Sequence, residues 1–263
     1  MATWVVGDVH GCYDEFMALL ENKEIKKEDT IILIGDIIDR GPKSLEMIKW
    51  AMENVTEDGK YQMILGNHED NVIQDFKFVK RICDQSDTIE EINEPIHRLH
   101  CHYGFDSYME EQGYKTIGDV IDIIDWFMSL PLYKKLTIKK DNGDYQNYVI
   151  AHAWFYDKYD SNDDDGDWYR NKILWERDID DFGDIYELMD YKSDDNAILI
   201  HGHTPTIAIN DCIKKDKNEV LFREHSINID CGCVFENYGG NLAAIRLEDH
   251  KVIYVREQVK IIP

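Results

Sequence analysis

The first third of the chain alternates short apolar runs with segments in which apolar residues recur at helical spacing. The apolar runs predict strands at Thr3–Val6, Thr30–Ile34 and Gln62–Leu65. The helical spacing predicts helices over Tyr13–Asn22, Lys43–Asn54 and His68–Arg81. Strands that are apolar along nearly their whole length and alternate with helices are typical of a parallel sheet covered on both faces.

The pattern changes after the third helix. Residues 83–130 are polar and predict helices, with Asp119–Met128 the clearest amphipathic segment. From Leu132 onward, short apolar runs predict strands at Leu132–Ile138, Tyr148–Ala151, Ala197–Ile200, Thr206–Asn210, Val220–Arg223, Ile227–Asp230, Leu242–Leu247 and Val252–Arg256. We expect a second, largely antiparallel sheet packed against the first. Without internal repeats or a Pro/Ser linker, residues 1–263 are predicted to form one domain, with a helical insertion at about 83–130.

Polar residues follow each of the first three predicted strands. The three turns are Gly7-Asp8-Val9-His10-Gly11, Gly35-Asp36-Ile37-Ile38-Asp39-Arg40-Gly41 and Gly66-Asn67-His68-Glu69. Glycine lets the backbone turn sharply, and the carboxyl ends of parallel strands meet at the edge of a sheet where ligands bind. We therefore expect one crevice to contain Asp8, His10, Asp36, Asn67 and His68.

This collection of side chains favours a metal site. Carboxylates packed so closely repel one another unless cations lie between them, and mixed oxygen and nitrogen donors suit Mn, Fe, Zn or Co. Two further histidines, His152 and His203, follow predicted strands later in the chain. A carboxylate that bridges two ions about 3.5–4 Å apart would form a two-metal clamp for in-line displacement at phosphorus.

The three turns resemble the GDxHG, GDxxDRG and GNHE motifs of the phosphoprotein-phosphatase branch of the calcineurin-like metallophosphoesterases. Later segments resemble bacterial members of that branch: Ala151-His152-Ala153, Leu174-Trp175-Glu176-Arg177, Gly202-His203-Thr204-Pro205 and Ile229-Asp230-Cys231-Gly232-Cys233-Val234. The resemblance implies an α/β sandwich of two mixed sheets flanked by helices, with a dinuclear metal site at the strand carboxyl ends.

The resemblance also implies a metal ligand set. Asp8, His10 and Asp36 would bind the first ion, and Asp36 would bridge to a second ion bound by Asn67, His152 and His203. His203 is chosen over His201, two residues earlier, because it lies within the GHT match. The cofactor is then a pair of divalent metal ions, with Mn the ion to add in an assay and Fe or Zn equally compatible.

Catalytic roles follow from the same resemblance. A metal-bridging hydroxide would attack the phosphorus directly, without a covalent phosphoenzyme. His68 would be the general acid for the leaving group, oriented by Asp39. The phosphoryl oxygens would be held by Arg40 and Arg177, together with Asn67.

Three functions remain open. The first is a hydrolase of phosphomonoesters on Ser/Thr phosphoproteins. The second is a symmetrical bis(5'-nucleosyl)-tetraphosphatase, which would release ADP. The third is a catalytically silent binding module, which predicts degraded motifs, and none are seen. We expect the partner to be a phosphoprotein or a small phosphorylated substrate.

Composition narrows the possible partners and the cellular location further. The 263 residues carry a formal net charge of −24, so neither a nucleic-acid scaffold nor an anionic membrane surface is an expected partner. Hydrophobic residues at 43% suffice for an ordinary core. No apolar stretch of about 18 residues suggests a membrane span. No leader precedes the first predicted strand, and six cysteines do not suggest a disulfide framework, so a cytoplasmic location is expected.

Three other features have simpler explanations than a ligand site. In the acidic segment Asp157–Asp167, a calcium-loop register fails because Ser161 and Lys172 stand where Asp and Glu are required. A solvated loop near the site mouth is expected instead. Cys231 and Cys233 are expected to be small core residues at a strand turn. A polar lid helix, rather than another metal site, is expected to contain His97, His100, Cys101 and His102.

Overall fold

The computed structural model describes residues 1–85, 117–156, 166–177, 191, 193, 195–213 and 218–256. The strands are β1 (Thr3–Val6), β2 (Thr30–Leu33), β3 (Tyr61–Met63), β4 (Tyr133–Lys139), β5 (Tyr145–Ala151), β6 (Ile198–His201), β7 (Leu221–Phe222), β8 (Ser226–Asn228), β9 (Leu242–Arg246) and β10 (Val252–Val255). The helices are α1 (Tyr13–Leu20), α2 (Ser44–Asn54), α3 (Asn67–Gln85), α4 (Ile117–Ser129), α5 (Gly166–Trp175) and α6 (Thr206–Ile213), with a 3₁₀ turn at Glu236–Tyr238.

The strands form two mixed five-stranded sheets. The first has the order β10-β9-β1-β2-β3, in which β1, β2 and β3 are parallel and β9 is antiparallel to both its neighbours. The second has the order β4-β5-β6-β8-β7, in which β5, β6 and β8 are parallel. Each sheet therefore contains three parallel strands whose carboxyl ends can carry functional residues.

Two apolar layers hold this arrangement together. One lies between the sheets, where Val5 and Ile32 of the first sheet share a buried cluster with Ile150 and Ile200 of the second. The other covers the outer faces and includes Phe16 of α1 and Ile48 of α2. Strands covered on both faces explain the nearly continuous apolar runs in the sequence.

The two-sheet fold confirms the expected architecture, with two differences. The second sheet is not largely antiparallel, because two of its four strand pairs are parallel, and β9 and β10 join the first sheet. The predicted strand Thr206–Asn210 is wrong, because this segment begins helix α6. Pro205 directly precedes the helix, and its carbonyl accepts hydrogen bonds from the amides of Ala208 and Ile209. Proline is common at the start of a helix, and here this preference outweighs the β-branched residues that suggested a strand.

The middle of the chain is described only in part. Helix α4 confirms the amphipathic helix predicted at Asp119–Met128. The rest of the expected insertion, at 86–116, lies outside the described residues, as do the His97–His102 cluster and most of the acidic segment. The single-domain organisation stays a prediction. Within the described ranges, no helix is long and apolar enough to cross a bilayer.

Candidate metal centre

Six parallel strands, three from each sheet, end at a common crevice. Each is followed within four residues by a buried polar side chain: Asp8 after β1, Asp36 after β2, Asn67 after β3, His152 after β5, His203 after β6 and Asp230 after β8. The two sheets thus contribute side chains to one crevice from opposite sides. The convergence expected from the strand ends therefore extends across both sheets.

Asp36 lies at the centre of the crevice and is only 1% exposed. Its Oδ2 atom lies 3.6 Å from Nε2 of His10, 3.4 Å from Nε2 of His152 and 3.9 Å from Nε2 of His68. Its Oδ1 atom accepts a hydrogen bond from the His68 amide at 2.9 Å. A single carboxylate oxygen thus faces three imidazole nitrogens, as a bridging ligand between two ions would.

Backbone carbonyls orient two of the histidines. Nδ1 of His10 lies 2.9 Å from the Ile38 carbonyl oxygen, and Nδ1 of His152 lies 2.9 Å from that of Ile34. A carbonyl can only accept, so each Nδ1 carries the proton and each Nε2 points into the crevice. Metal-binding histidines are commonly fixed in this way by an outer hydrogen bond.

Asn67 brings the two later histidines together. Its Oδ1 atom lies 2.8 Å from Nε2 of His152 and 2.9 Å from Nδ1 of His203. His201, the alternative to His203, lies elsewhere, with its ring 5.5 Å from that of Trp154. The structure therefore brings His203, rather than His201, into the cluster.

Two groups of donor atoms share Asp36. His10, Asp36 and His68 form one group, and Asp36, His152 and His203 form the other, with the donor atoms of each group within 4.8 Å of one another. Asp8, expected as a ligand of the first ion, is in neither group, and His68, expected as the general acid, is in the first.

Orphaned polar atoms support a cation in this crevice. Among the described residues, Asp8 Oδ1 and His203 Nε2 are buried without a hydrogen-bond partner. A buried polar atom left unpaired costs about 1–3 kcal/mol, and divalent ions bound in the crevice would satisfy these atoms. Imidazole nitrogens with carboxylate and amide oxygens are suitable donors for such an ion, so these residues fit the metals expected of them.

The electrostatics also favour bound cations. Burial raises the pKa of Asp8 well above its ordinary value, and the nearby carboxylate of Asp230 raises it further. Burial alone would lower the pKa of His152, but the charge of Asp36 and its hydrogen bond raise that pKa to about 10. A cation bound among the carboxylates of Asp8, Asp36 and Asp230 would replace the proton that the raised pKa of His152 implies.

His68 and Asp39 form a close pair at the edge of the cluster. Nδ1 of His68 lies 2.6 Å from Oδ2 of Asp39, and the Asp39 amide donates to Oγ of Ser44 at 2.9 Å. Burial alone would lower the pKa of His68, but the hydrogen bond to Asp39 and the charge of Asp36 raise it. The arrangement suits a protonated imidazole held in one orientation.

The two predicted arginines differ in their relation to the cluster. Arg40 is exposed, yet its Nη1 atom lies 2.6 Å from Nε2 of His10. Arg177 is also exposed. Burial chiefly lowers the pKa of His203, and the charges of His152 and Arg177 contribute. Arg177 thus lies within electrostatic reach of the cluster, whereas Arg40 contacts it directly.

Much of the backbone strain in the fold lies at this site. Among the described residues, seven non-glycine residues have a positive φ, and five of them are predicted site residues: His10, Asp36, Asp39, Arg40 and His203. A left-handed conformation at a non-glycine residue costs about 1–3 kcal/mol and persists only where the surroundings impose it. The conformations that position these side chains therefore lower the stability of the turns.

Two buried acids belong to the site although sequence reasoning gave them no role. Glu69 accepts hydrogen bonds from the amides of Gly66, Asp36 and Ile37 at 2.8–3.1 Å. Asp230 is 2% exposed, and burial chiefly raises its pKa to about 6. The sequence held a signal for both residues, because Glu69 is the last residue of the third motif and Asp230 stands at the end of a predicted strand.

A crevice of histidines, aspartates and asparagine at the strand ends of two mixed sheets is typical of a metal-dependent phosphoesterase. The chain belongs to the calcineurin-like phosphoesterase family, whose sequence profile matches residues 1–239. This is the family that the motifs indicated, and its members use divalent metals.

Two relatives illustrate its position within that family. A symmetrical bis(5'-nucleosyl)-tetraphosphatase of Psychromonas ingrahamii is 30% identical over 157 residues, covering 58% of this chain and 44% of that protein. The chain thus matches less than half of that relative. The asymmetrical bis(5'-nucleosyl)-tetraphosphatase PrpE of Bacillus velezensis is 26% identical over 286 aligned positions, covering 98% of this chain and 94% of that protein.

Solved structures share the fold. A protein described as a candidate diadenosine tetraphosphatase aligns with a TM-score of 0.56 and 19% identity, covering 96% of this chain and 92% of the other. A Ser/Thr protein phosphatase from Saccharomyces cerevisiae aligns with a TM-score of 0.54 and 15% identity, covering 97% of this chain and 78% of the other. At these identities the likeness concerns the fold alone.

Proposed function

We propose that this protein hydrolyses a phosphoanhydride bond in dinucleoside tetraphosphates. The observation that carries metal-dependent hydrolysis is Asp36, whose Oδ2 atom faces Nε2 of His10, His68 and His152 within 3.9 Å. The choice of substrate draws support from the relatives, since both of those described above are named as bis(5'-nucleosyl)-tetraphosphatases.

The ligands we propose are those that the resemblance implied. One ion would be held by Asp8, His10 and Asp36, and the other by Asp36, Asn67, His152 and His203. Two divalent ions in these positions would withdraw charge from the phosphoryl oxygens and make an attacking water more acidic.

The remaining steps belong to the chain's own residues. Arg40, 2.6 Å from His10 at the edge of the cluster, is placed to bind a phosphoryl oxygen through its planar guanidinium. Arg177 would add a second positive charge near His203. His68 would donate its Nε2 proton to the departing phosphate oxygen while Asp39 holds Nδ1. The buried walls of the crevice would limit access of further water.

Hydrolysis of Ser/Thr phosphoproteins, the first expectation from the sequence, becomes the alternative. This reaction would use the same metal ions and the same side chains around the phosphorus. A cavity of about 230 Å³ beside Arg40, lined also by Tyr13, Lys43, Asp14 and Glu15, favours it, since a phosphorylated side chain could reach Arg40 there. The names of the relatives favour the dinucleotide.

Product analysis tests the proposal. Metal-loaded protein is incubated with diadenosine tetraphosphate, and the nucleotides are separated by chromatography. Symmetrical cleavage yields only ADP, and asymmetrical cleavage yields ATP with AMP, so either pattern supports the proposal and also identifies the bond. Rapid release of phosphate from a phosphoserine peptide, with the dinucleotide left intact, would contradict it and favour the alternative.

A further inference from the structure

Helix α5 carries two tryptophans on one face, and one of them borders the metal centre. Trp168 and Trp175 are seven residues apart, so they lie on the same side of the helix, about 10 Å apart along its axis. The Trp175 ring centroid is 6.0 Å from that of His203. This face of α5 therefore leads from the metal centre outward to Trp168, which is 46% exposed.

A second aromatic residue accompanies Trp168 at the outer end. The rings of Tyr156 and Trp168 lie 5.9 Å apart with an interplanar angle of 48°. Tyr156 follows His152 by four residues, and its hydroxyl donates to Oε2 of Glu176 at 3.4 Å. The aromatic pair is thus built from two segments that also carry predicted site residues.

Helix α5 is anchored to the segments that form the centre. Nε and Nη2 of Arg170 lie 2.9 and 2.5 Å from Oδ1 of Asp70, which lies in the first turn of α3. The Ala153 amide donates to the Ile173 carbonyl at 2.9 Å, and Ile173 is fully buried. These contacts fix the distance between Trp168 and the metal centre, as a binding subsite requires.

We propose that Trp168, paired with Tyr156, forms a subsite on which a nucleobase of the substrate stacks. This inference rests on the proposed hydrolysis of dinucleoside tetraphosphates and adds the residues that recognise the nucleoside. A neutral aromatic base suits this surface, because stacking requires no positive charge in a chain whose formal net charge is −24. The phosphates would extend along α5 towards Arg177 and the metal centre.

Two substrates separate base recognition from phosphate chemistry. Diadenosine tetraphosphate carries bases, whereas inorganic tripolyphosphate has the same anhydride linkage without them. In metal-loaded protein, Trp168→Ala should raise KM for the dinucleotide about 5- to 150-fold, the equivalent of losing about 1–3 kcal/mol of stacking. Its kcat should stay unchanged, and so should both constants for tripolyphosphate.

Two variants serve as controls. Trp168→Phe keeps an aromatic face and the pairing with Tyr156, so it should retain most of the affinity. Tyr145→Ala removes another exposed aromatic residue, 70% exposed at the start of β5 and thus at the strand end opposite His152. It should leave KM for both substrates unchanged.

Failure of the subsite differs from failure of the proposed function. If native protein cleaves the dinucleotide but Trp168→Ala leaves its KM unchanged, or raises KM equally for tripolyphosphate, the stacking subsite is wrong. If metal-loaded native protein does not cleave the dinucleotide at all, the proposed function is wrong, and the subsite fails with it.

Discussion

Oδ2 of Asp39 lies 2.6 Å from Nδ1 of His68, and the opposite nitrogen of the same ring lies 3.9 Å from Oδ2 of Asp36. His68 is thus held between a carboxylate outside the cluster and the carboxylate at its centre. The contact with Asp39 fixes the orientation of the ring and leaves Nε2 facing Asp36. This geometry supports the proposal that His68 donates a proton.

Replacing His68 should therefore affect substrates according to their leaving groups. We expect His68→Ala to slow hydrolysis of a simple alkyl phosphate, used as a probe of leaving-group protonation, about 10²- to 10⁴-fold. The loss on p-nitrophenyl phosphate should be far smaller, because nitrophenolate departs without prior protonation. Parallel kcat measurements on the two substrates provide the comparison.

Asp39→Asn refines this prediction, since it keeps the side-chain shape but removes the charge that holds the ring. It should reduce alkyl phosphate turnover less than His68→Ala does, with the same dependence on the leaving group. Equal losses on both substrates for His68→Ala would mean that His68 acts in another way, for example as a metal ligand with His10 and Asp36.

Glu69 should support the site through the backbone. Its buried carboxylate accepts hydrogen bonds from three amides in the turns after β2 and β3. Glu69→Gln places an amide group against N–H donors, so we expect a loss of about 1–3 kcal/mol in the free energy of unfolding. Urea denaturation measures the loss, with Glu53→Gln on the exposed face of α2 as the control. A variant as stable as native protein would show that these hydrogen bonds contribute little.

Gly66 should be intolerant of even a methyl group. A Cβ atom at Gly66 would lie 2.6 Å from Oε2 of Glu69 and closer still to Asp36. Because Asp36 must then move, Gly66→Ala should reduce bound metal and phosphoesterase activity together. Gly143→Ala is the matched control: its φ of +93° makes alanine unfavourable, but no atom lies within 4 Å of the new Cβ. Normal metal content in Gly66→Ala would contradict the close packing around Asp36.

Asp29 should make stability depend on pH at acid values. Burial alone would raise its pKa, but hydrogen bonds from the amides of Ala2 and Lys26 and from Nε1 of Trp4 lower it below the ordinary 3.8. A carboxylate whose pKa falls on folding stabilises the protein above its unfolded pKa and loses that effect as the pH falls through the folded value.

Native protein should therefore be more stable than Asp29→Asn at pH 7, and this difference should shrink as the pH falls below about 4. Denaturation at several pH values measures it, with Asp58→Asn, at an exposed position, as the reference. A difference that is constant between pH 7 and pH 2 would exclude the proposed pKa shift.

The parts of the fold that the sequence predicted are those with strong local signals. The apolar runs at β1, β2 and β3 and the glycine-containing turns after them located most of the crevice. The sequence did not predict which sheet each later strand would join. Strand β9 pairs with β1 across most of the chain, and its own pattern cannot identify that partner. Pro205 was the signal that could have predicted helix α6.

The site shows the same limit. Motif residues such as Asp36 and His152 could be predicted because their chemistry and their positions after strands agree. The third motif could have marked Glu69, but its hydrogen bonds to the turns depend on tertiary contacts. The direction of the helix face that carries Trp168 depends on tertiary contacts as well. The ion bound, the exact substrate and the cytoplasmic location stay predictions.

The most direct test of a dinuclear, metal-dependent hydrolase combines metal counting with activity. Protein stripped by chelation is assayed with p-nitrophenyl phosphate before and after addition of Mn²⁺, and bound metal is counted in native protein and in Asp36→Asn. We predict that Mn²⁺ restores activity, that native protein binds two ions per chain, and that Asp36→Asn loses both activity and metal. Full activity after chelation, or an Asp36→Asn variant that keeps two ions and normal turnover, would contradict the account.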